Sequence, residues 1–236
     1  MGIKKSNRFN SGTFIWTAIL AIALGFTVAP YAKASDDAAD AQEIVDKAQA
    51  TLTDFIGDKD FTWLNENFKN AKALMIFPQV LKAGAVIGGS GGTGVLVVRN
   101  EKTGDWSQPA FYTIGSASIG LQIGAESAQT VMMVMTTKAV NSLYKSSVKL
   151  GGDMSFAIGP VGEGSKQNLT ADFISYSKSK GLYAGLNLEG SVIDVRKGLN
   201  KAYYSKETTP EGIIEKASVS NKGSDRLLLT LKNSIK

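Results

Sequence analysis

Apolar side chains at Ile44, Val45, Ala48, Leu52, Phe55 and Ile56 recur at spacings of three and four, which places them on one helical face. The pattern predicts a helix over 36–56 with Ser35 as its N-cap, ended by Gly57 and the Asp58-Lys59-Asp60 that follows. A short helical segment around Trp63, Leu64 and Phe68 is expected to fold back on it and lead into Ala73 to Phe77, a run closed by Pro78. From Lys82 to Gly190 the texture changes to short apolar, β-branched or aromatic runs separated by Gly, Asn, Asp and Ser, which is the texture of antiparallel strands. Strands are expected at 83–87, 94–99, 110–115, 130–136, 154–158, 172–177 and 182–188, with Asn100 to Asp105 as a hairpin turn. The glycines concentrated here suit a sharply curved sheet or barrel. Helices return at the end, where Thr209-Pro210-Glu211 reads as an N-cap followed by proline at the first helical position, and Leu227, Leu228, Leu231 and Ile235 form a stripe after Ser224.

The fold class is therefore α+β: an N-terminal helical arm, a curved antiparallel sheet or barrel, and C-terminal helices. No internal repeat and no long linker divides it, so one domain over 35–236 is expected. Ahead of it, Lys4, Lys5 and Arg8, the apolar stretch Thr13 to Val28, and Ala32-Lys33-Ala34 have the three parts of a secretory signal peptide, with cleavage after Ala34. The competing reading is an uncleaved anchor, since the stretch is near the lower limit for spanning a bilayer. The expected location is exported, periplasmic or secreted, and peripherally membrane-associated.

Loss of residues 1–34 removes four of 26 basic side chains and no acid, leaving about +1, so the basic pI is no argument for nucleic acid. The remaining charge is uneven. Residues 35–70 hold nine acids and three bases, while 71–236 hold nineteen bases and twelve acids, an acidic arm on a basic body. The arm is expected to mask the body, so that deleting 35–60 raises affinity for anionic vesicles. The absence of cysteine rules out disulfides, thiolate metal sites and catalytic thiols, and the absence of histidine removes the usual general base and the commonest zinc or haem ligand. No catalytic residue, metal ligand or cofactor is assigned.

Gly89-Ser90-Gly91-Gly92-Thr93-Gly94 has the G-x-G-x-x-G spacing of a dinucleotide fingerprint, but that motif needs a helix to open there. Val95 to Arg99 is instead β-branched, so a glycine-rich bend between strands is expected and no nucleotide partner is assigned. Ser175-Tyr176-Ser177-Lys178 and Lys102-Thr103-Gly104 match the S-x-x-K and K-T-G of penicillin-recognising enzymes in the wrong order and in strand or turn texture. Glu126 sits in an apolar stretch, either as a titrating site group or as a partly buried glutamate satisfied by backbone amides. Met132, Met133 and Met135 read as core, or as the lining of an acyl cavity if the barrel is open.

Alternation along 174–182 places Tyr176, Lys178 and Lys180 on one face and Ser175, Ser177 and Ser179 on the other. An interfacial tyrosine with two flexible cations suits a lipid surface, and Lys82 and Arg99 join them as lipid-binding candidates. The plainer reading is an edge strand whose lysines block edge-to-edge pairing.

With these residues in view, the chain resembles the SYLF family of lipid-binding domains, also described through an actin-regulating yeast member. The resemblance rests on Ala71-Lys72-Ala73 to Phe77-Pro78, Lys82-Ala83-Gly84 with Gly88 to Gly91, Trp106 to Tyr112, Gly120 to Ala125, Ala157 to Gly162 and Tyr176 to Gly185. It implies non-enzymatic binding of membrane lipids, phosphoinositides in eukaryotic members, with anionic headgroups as the expected contact. Two features depart from it: the arm is net acidic, and an exported chain does not meet cytoplasmic actin or phosphoinositides. A structural envelope protein with protein or glycan partners is the alternative.

Overall fold

The computed structural model describes residues 34–84, 87–119, 124–145, 147–162 and 170–234. The expected signal peptide lies outside the described residues except for Ala34, and residues 34–236 form one compact unit. In chain order the elements are α1 (Ala34–Ile56), α2 (Thr62–Asn67), β1 (Ala73–Gly84), β2 (Ile87–Val98), β3 (Ala110–Ile119), β4 (Gly124–Val134), α3 (Thr137–Lys145), β5 (Val148–Lys149), β6 (Phe156–Ile158), β7 (Phe173–Ser179), β8 (Leu182–Tyr183), β9 (Val192–Val195), α4 (Lys197–Tyr204), α5 (Pro210–Ile214) and α6 (Asp225–Asn233). The strands form one strongly curled sheet in the order β5-β9-β3-β2-β1-β4-β7-β6, with β8 on β7. Its pairings are antiparallel except β6 with β7.

The sheet is covered on both faces, which explains its sequence texture. One face packs Leu74, Ile76, Val95, Val97, Val131 and Met133 against α1, α4 and α6; the other packs Met75, Phe77, Leu96, Tyr112, Met132 and Val134 against α3 and α5. Strands with two buried faces read as continuous apolar runs instead of alternating ones. Ala73 to Phe77 is such a run, so it opens β1 and does not continue a helix. Pro78 does not end it either. The proline, which has no N–H to give a ladder, sits at a bulge between Ile76 and Gln79 where the register against β2 shifts, and β1 continues to Gly84. Opposite that bulge, a Cβ on Gly92 or Gly94 would run into the carbonyl oxygens of Gln79 and Ile76. The glycine-rich segment is therefore the middle of a strand, required where two backbones approach closely, and not a bend.

The acidic arm is likewise part of the fold. Of the predicted stripe, Val45, Ala48, Leu52 and Phe55 are fully or almost fully buried and Ile44 and Ile56 half-buried, with Ala41 buried beside them, while Ser35 lies within the helix and not ahead of it. Asn100 to Asp105 does form the turn between β2 and β3, with the Asn100 amide on the Asp105 carbonyl at 2.8 Å. Thr209 caps α5 through the Gly212 amide, with Pro210 at the first position, and Leu227 and Leu231 bury the face of α6. The expected strand at 182–188 shrinks to β8, because the chain then leaves the sheet to bury Leu186 and Leu188. Two helices lie where the sequence reading has none: α3, capped by Thr136 Oγ1 on the Ala139 amide at 3.2 Å, and α4.

Candidate functional site

The structure redistributes the residues that sequence alternation brings together. Tyr176 and Lys178 do share a face of β7, but that face is internal. The Tyr176 ring is fully buried, edge-on to Phe61 at 5.7 Å and stacked on Trp63 at 6.4 Å, with Gly159 so close that a Cβ there would enter the ring. Its hydroxyl is buried without a hydrogen-bond partner among the described residues, and burial pushes the phenol well above its usual range. Tyr176 is therefore no interfacial aromatic. Lys178 is spent in the same place: its Nζ lies 2.7 Å from Asp58 Oδ2 and 5.7 Å from the centroids of Phe55 and Phe61. The edge-strand reading also fails, because β7 is paired on one side by β4 and on the other by β6 and β8.

Lys180 is exposed in the turn to β8, where its φ of 51° is a left-handed conformation that a lysine adopts at a cost. Lys82 is exposed on β1, opposite Ser90 of β2. Arg99 sits at the other end of β2, its guanidinium donating to the Lys69 carbonyl. Nine residues of strand separate Ser90 from Arg99, about 30 Å at ~3.3 Å per residue, so one headgroup does not engage both Lys82 and Arg99.

The end of the sheet that carries Lys82 has an organisation of its own. Beyond Val80, Gly92 and Ala128 the helices no longer cover β1 to β4, and the four strands continue outward in register. Strand alternation then divides the side chains into two unlike faces. On the α1 side lie Leu81, Ala83, Ile87, Gly89, Gly91, Gly115, Ala117 and Ala125; on the other lie Lys82, Ser90, Ser116 and Glu126. Leu81 is 53% and Ile87 75% exposed, and Ala83, Gly91, Ala117 and Ala125 are exposed around them. On the polar face Lys82 pairs in register with Glu126, and the Ser90 and Ser116 hydroxyls are 2.8 Å apart. Glu126 is exposed, which corrects the expectation of a partly buried carboxylate.

At the foot of the apolar face a groove of about 570 Å³ opens between α1 and the sheet, lined by Lys47, Thr51, Gln79, Gln129, Lys178 and Lys180. Gln129 Nε2 donates to Thr51 Oγ1 and Gln79 Nε2 to Ser127 Oγ, so this row closes the covered part of the sheet with amides and hydroxyls. The residues that sequence reasoning missed are Leu81 and Ile87. Their signal is the alternation Gln79, Leu81, Ala83 opposed to Val80, Lys82, which becomes readable once the bulge at Pro78 is placed.

The other chemical candidates have structural roles. Ser175 is buried in mid-strand and not at a helix start, Lys102 to Gly104 lie in the β2–β3 turn, and Met132 and Met133 fill opposite cores. Asp172 is buried enough to raise its carboxyl, but hydrogen bonds from the Thr136 hydroxyl at 2.6 Å and the Ser155 amide and hydroxyl outweigh this and hold it low.

Fold and surface together define an α+β domain built on a curled sheet with an amphipathic end that the described helices do not cover. The sequence profile described as Ysc84, Las17-binding protein actin regulator, matches residues 115–234, and the chain belongs to this Ysc84 (SYLF) family. An SH3 domain-containing protein of Schizosaccharomyces pombe is 33% identical over 201 residues, 80% of this chain and 46% of that protein. LAS seventeen-binding protein 3 of Saccharomyces cerevisiae is 36% identical over 153 residues, 62% of this chain and 33% of its own length. The human SH3 domain-containing YSC84-like protein 1 is 35% identical over 142 residues, 58% and 41% of the two chains. The chain thus spans less than half the length of these curated relatives.

Proposed function

We propose that this chain is a non-enzymatic lipid-binding domain that docks on a membrane surface of the cell envelope after export and cleavage behind Ala34. Intact-mass measurement of the exported chain tests the processing, with Ser35 expected as its first residue. The observation that carries the lipid reading is the uncovered end of β1 to β4, with Leu81 and Ile87 exposed on an apolar face backed by a serine-bearing polar one. Among the described residues no helix is long and apolar enough to cross a membrane. The cores on both faces of the sheet are filled by side chains, which supports surface contact over extraction of an acyl chain.

Burying what Leu81 and Ile87 now expose stabilises the bound state by about 3 kcal/mol, roughly a hundredfold in partitioning. In vesicle flotation, Leu81→Ser with Ile87→Ser should therefore abolish binding that wild type shows. Equal binding by the double variant would remove this surface from the account. The names of the yeast relatives favour a second reading, in which the domain binds a protein partner; retention of one specific protein by wild type with no binding to any vesicle would establish it.

A further inference from the structure

We infer that the uncovered end of β1 to β4 recognises loosely packed lipid, so that the domain binds curved or defect-rich bilayers in preference to anionic ones. This rests on the lipid reading above and narrows its target. The polar face of that end carries one lysine and one glutamate, Lys82 and Glu126, held opposite each other by the β1–β4 register. The paired hydroxyls of Ser90 and Ser116 lie on the same face, and Glu189 lines the cleft beside them. Among the described residues this face presents no excess of positive charge. At the foot of the apolar face the groove cations are largely spoken for, since Lys47 is bridged to Glu43 and Lys178 to Asp58, which leaves Lys180. An anionic surface gains little from approaching such an end.

Affinity then has to come from apolar contact, and the apolar face is shallow. Leu81 and Ile87 rise from a floor of Gly89, Gly91, Ala117 and Ala125 that has almost no side-chain relief. Two aliphatic anchors on a flat floor do not displace well-packed headgroups, but they fill places where acyl chains are already uncovered. Amphipathic segments with few charges on the polar face bind in this way, and their binding depends on curvature and lipid composition. A protein partner fits less well. Among the described residues the face offers no aromatic or arginine anchor, and its glycine and alanine floor has little to interlock with another surface.

The test uses the chain 35–236 with zwitterionic phosphatidylcholine vesicles, small sonicated against large extruded, at equal accessible lipid and at low and high salt. Preference for the small vesicles should be about tenfold or more, as expected of a packing sensor, unchanged by salt and by Lys180→Gln. Leu81→Ser should remove the preference while leaving the melting temperature at the wild-type value, because the side chain is exposed. Equal binding to both sizes overturns the inference and leaves the lipid reading standing. So does binding that needs anionic lipid and disappears with salt. Failure to bind any vesicle overturns both.

Discussion

Lys178 shows how far the environment of a side chain departs from what its spacing suggests. A lysine at alternating distance from a tyrosine on a strand suggests a headgroup contact, but this one reaches inward over Phe55 and Phe61 to Asp58. The hydrogen bond from Lys178, with that from the Asp60 amide, holds the Asp58 carboxyl below the usual carboxylate range. A carboxyl depressed in the folded state adds stability above its unfolded value, and that stability is lost as pH falls through the folded one. Asp58→Asn should therefore destabilise the domain at neutral pH, with the gap to wild type closing below about pH 4. Chemical denaturation of both proteins across that range checks it; a gap that stays constant would mean the bridge contributes nothing. Replacing Lys178 thus reports on stability, and a loss of vesicle binding by that variant would not identify a headgroup contact.

Among the elements, α1 was legible to within two residues, because a stripe of Val45, Ala48, Leu52 and Phe55 leaves no other periodicity. Its role was not. Net charge makes 35–70 look like a detachable acidic arm, whereas the stripe is the centre of a core that also holds Leu74, Val97, Met133 and Leu227. Leu52→Ala at this fully buried site should cost about 2–5 kcal/mol, and deletion of 35–60 should unfold the domain instead of raising its affinity for anionic vesicles. A folded deletion variant, seen as an intact cooperative thermal transition, would contradict this. The central strands were legible in kind but short in extent, since Ala73 to Phe77, buried on both faces, has the same apolar run that a buried helix has. The sheet end was half legible: Lys82 and the strand around it were visible, but the face of Leu81 depends on the bulge at Pro78, which only the pairing with β2 and β4 reveals. Helix α3 was missed because Thr137 to Lys145 is short and lies between strands of similar texture.

At the scale of the molecule, one end of the curled sheet is covered by helices on both faces, and none of the described helices covers the other, apolar on one side and polar on the other. The matched profile begins at Gly115, so it takes in β3 and β4 of the bare end but not β1 and β2, which carry Leu81 and Ile87. This bare end is the surface proposed to meet the membrane. The chain has no cysteine, so a single introduced one can be labelled uniquely with an environment-sensitive fluorophore. Leu229 supplies the control: it is 59% exposed on α6, which reaches α1 through Thr230 and Gln49. Gln49 and Thr51 are two residues apart, and at 3.6 residues per turn they fall on opposite flanks of the helix, so α6 and the groove are on different sides of α1. With small phosphatidylcholine vesicles, the label on Leu81→Cys should shift to the blue and that on Leu229→Cys should not. A shift at Leu229 with none at Leu81 would contradict the account.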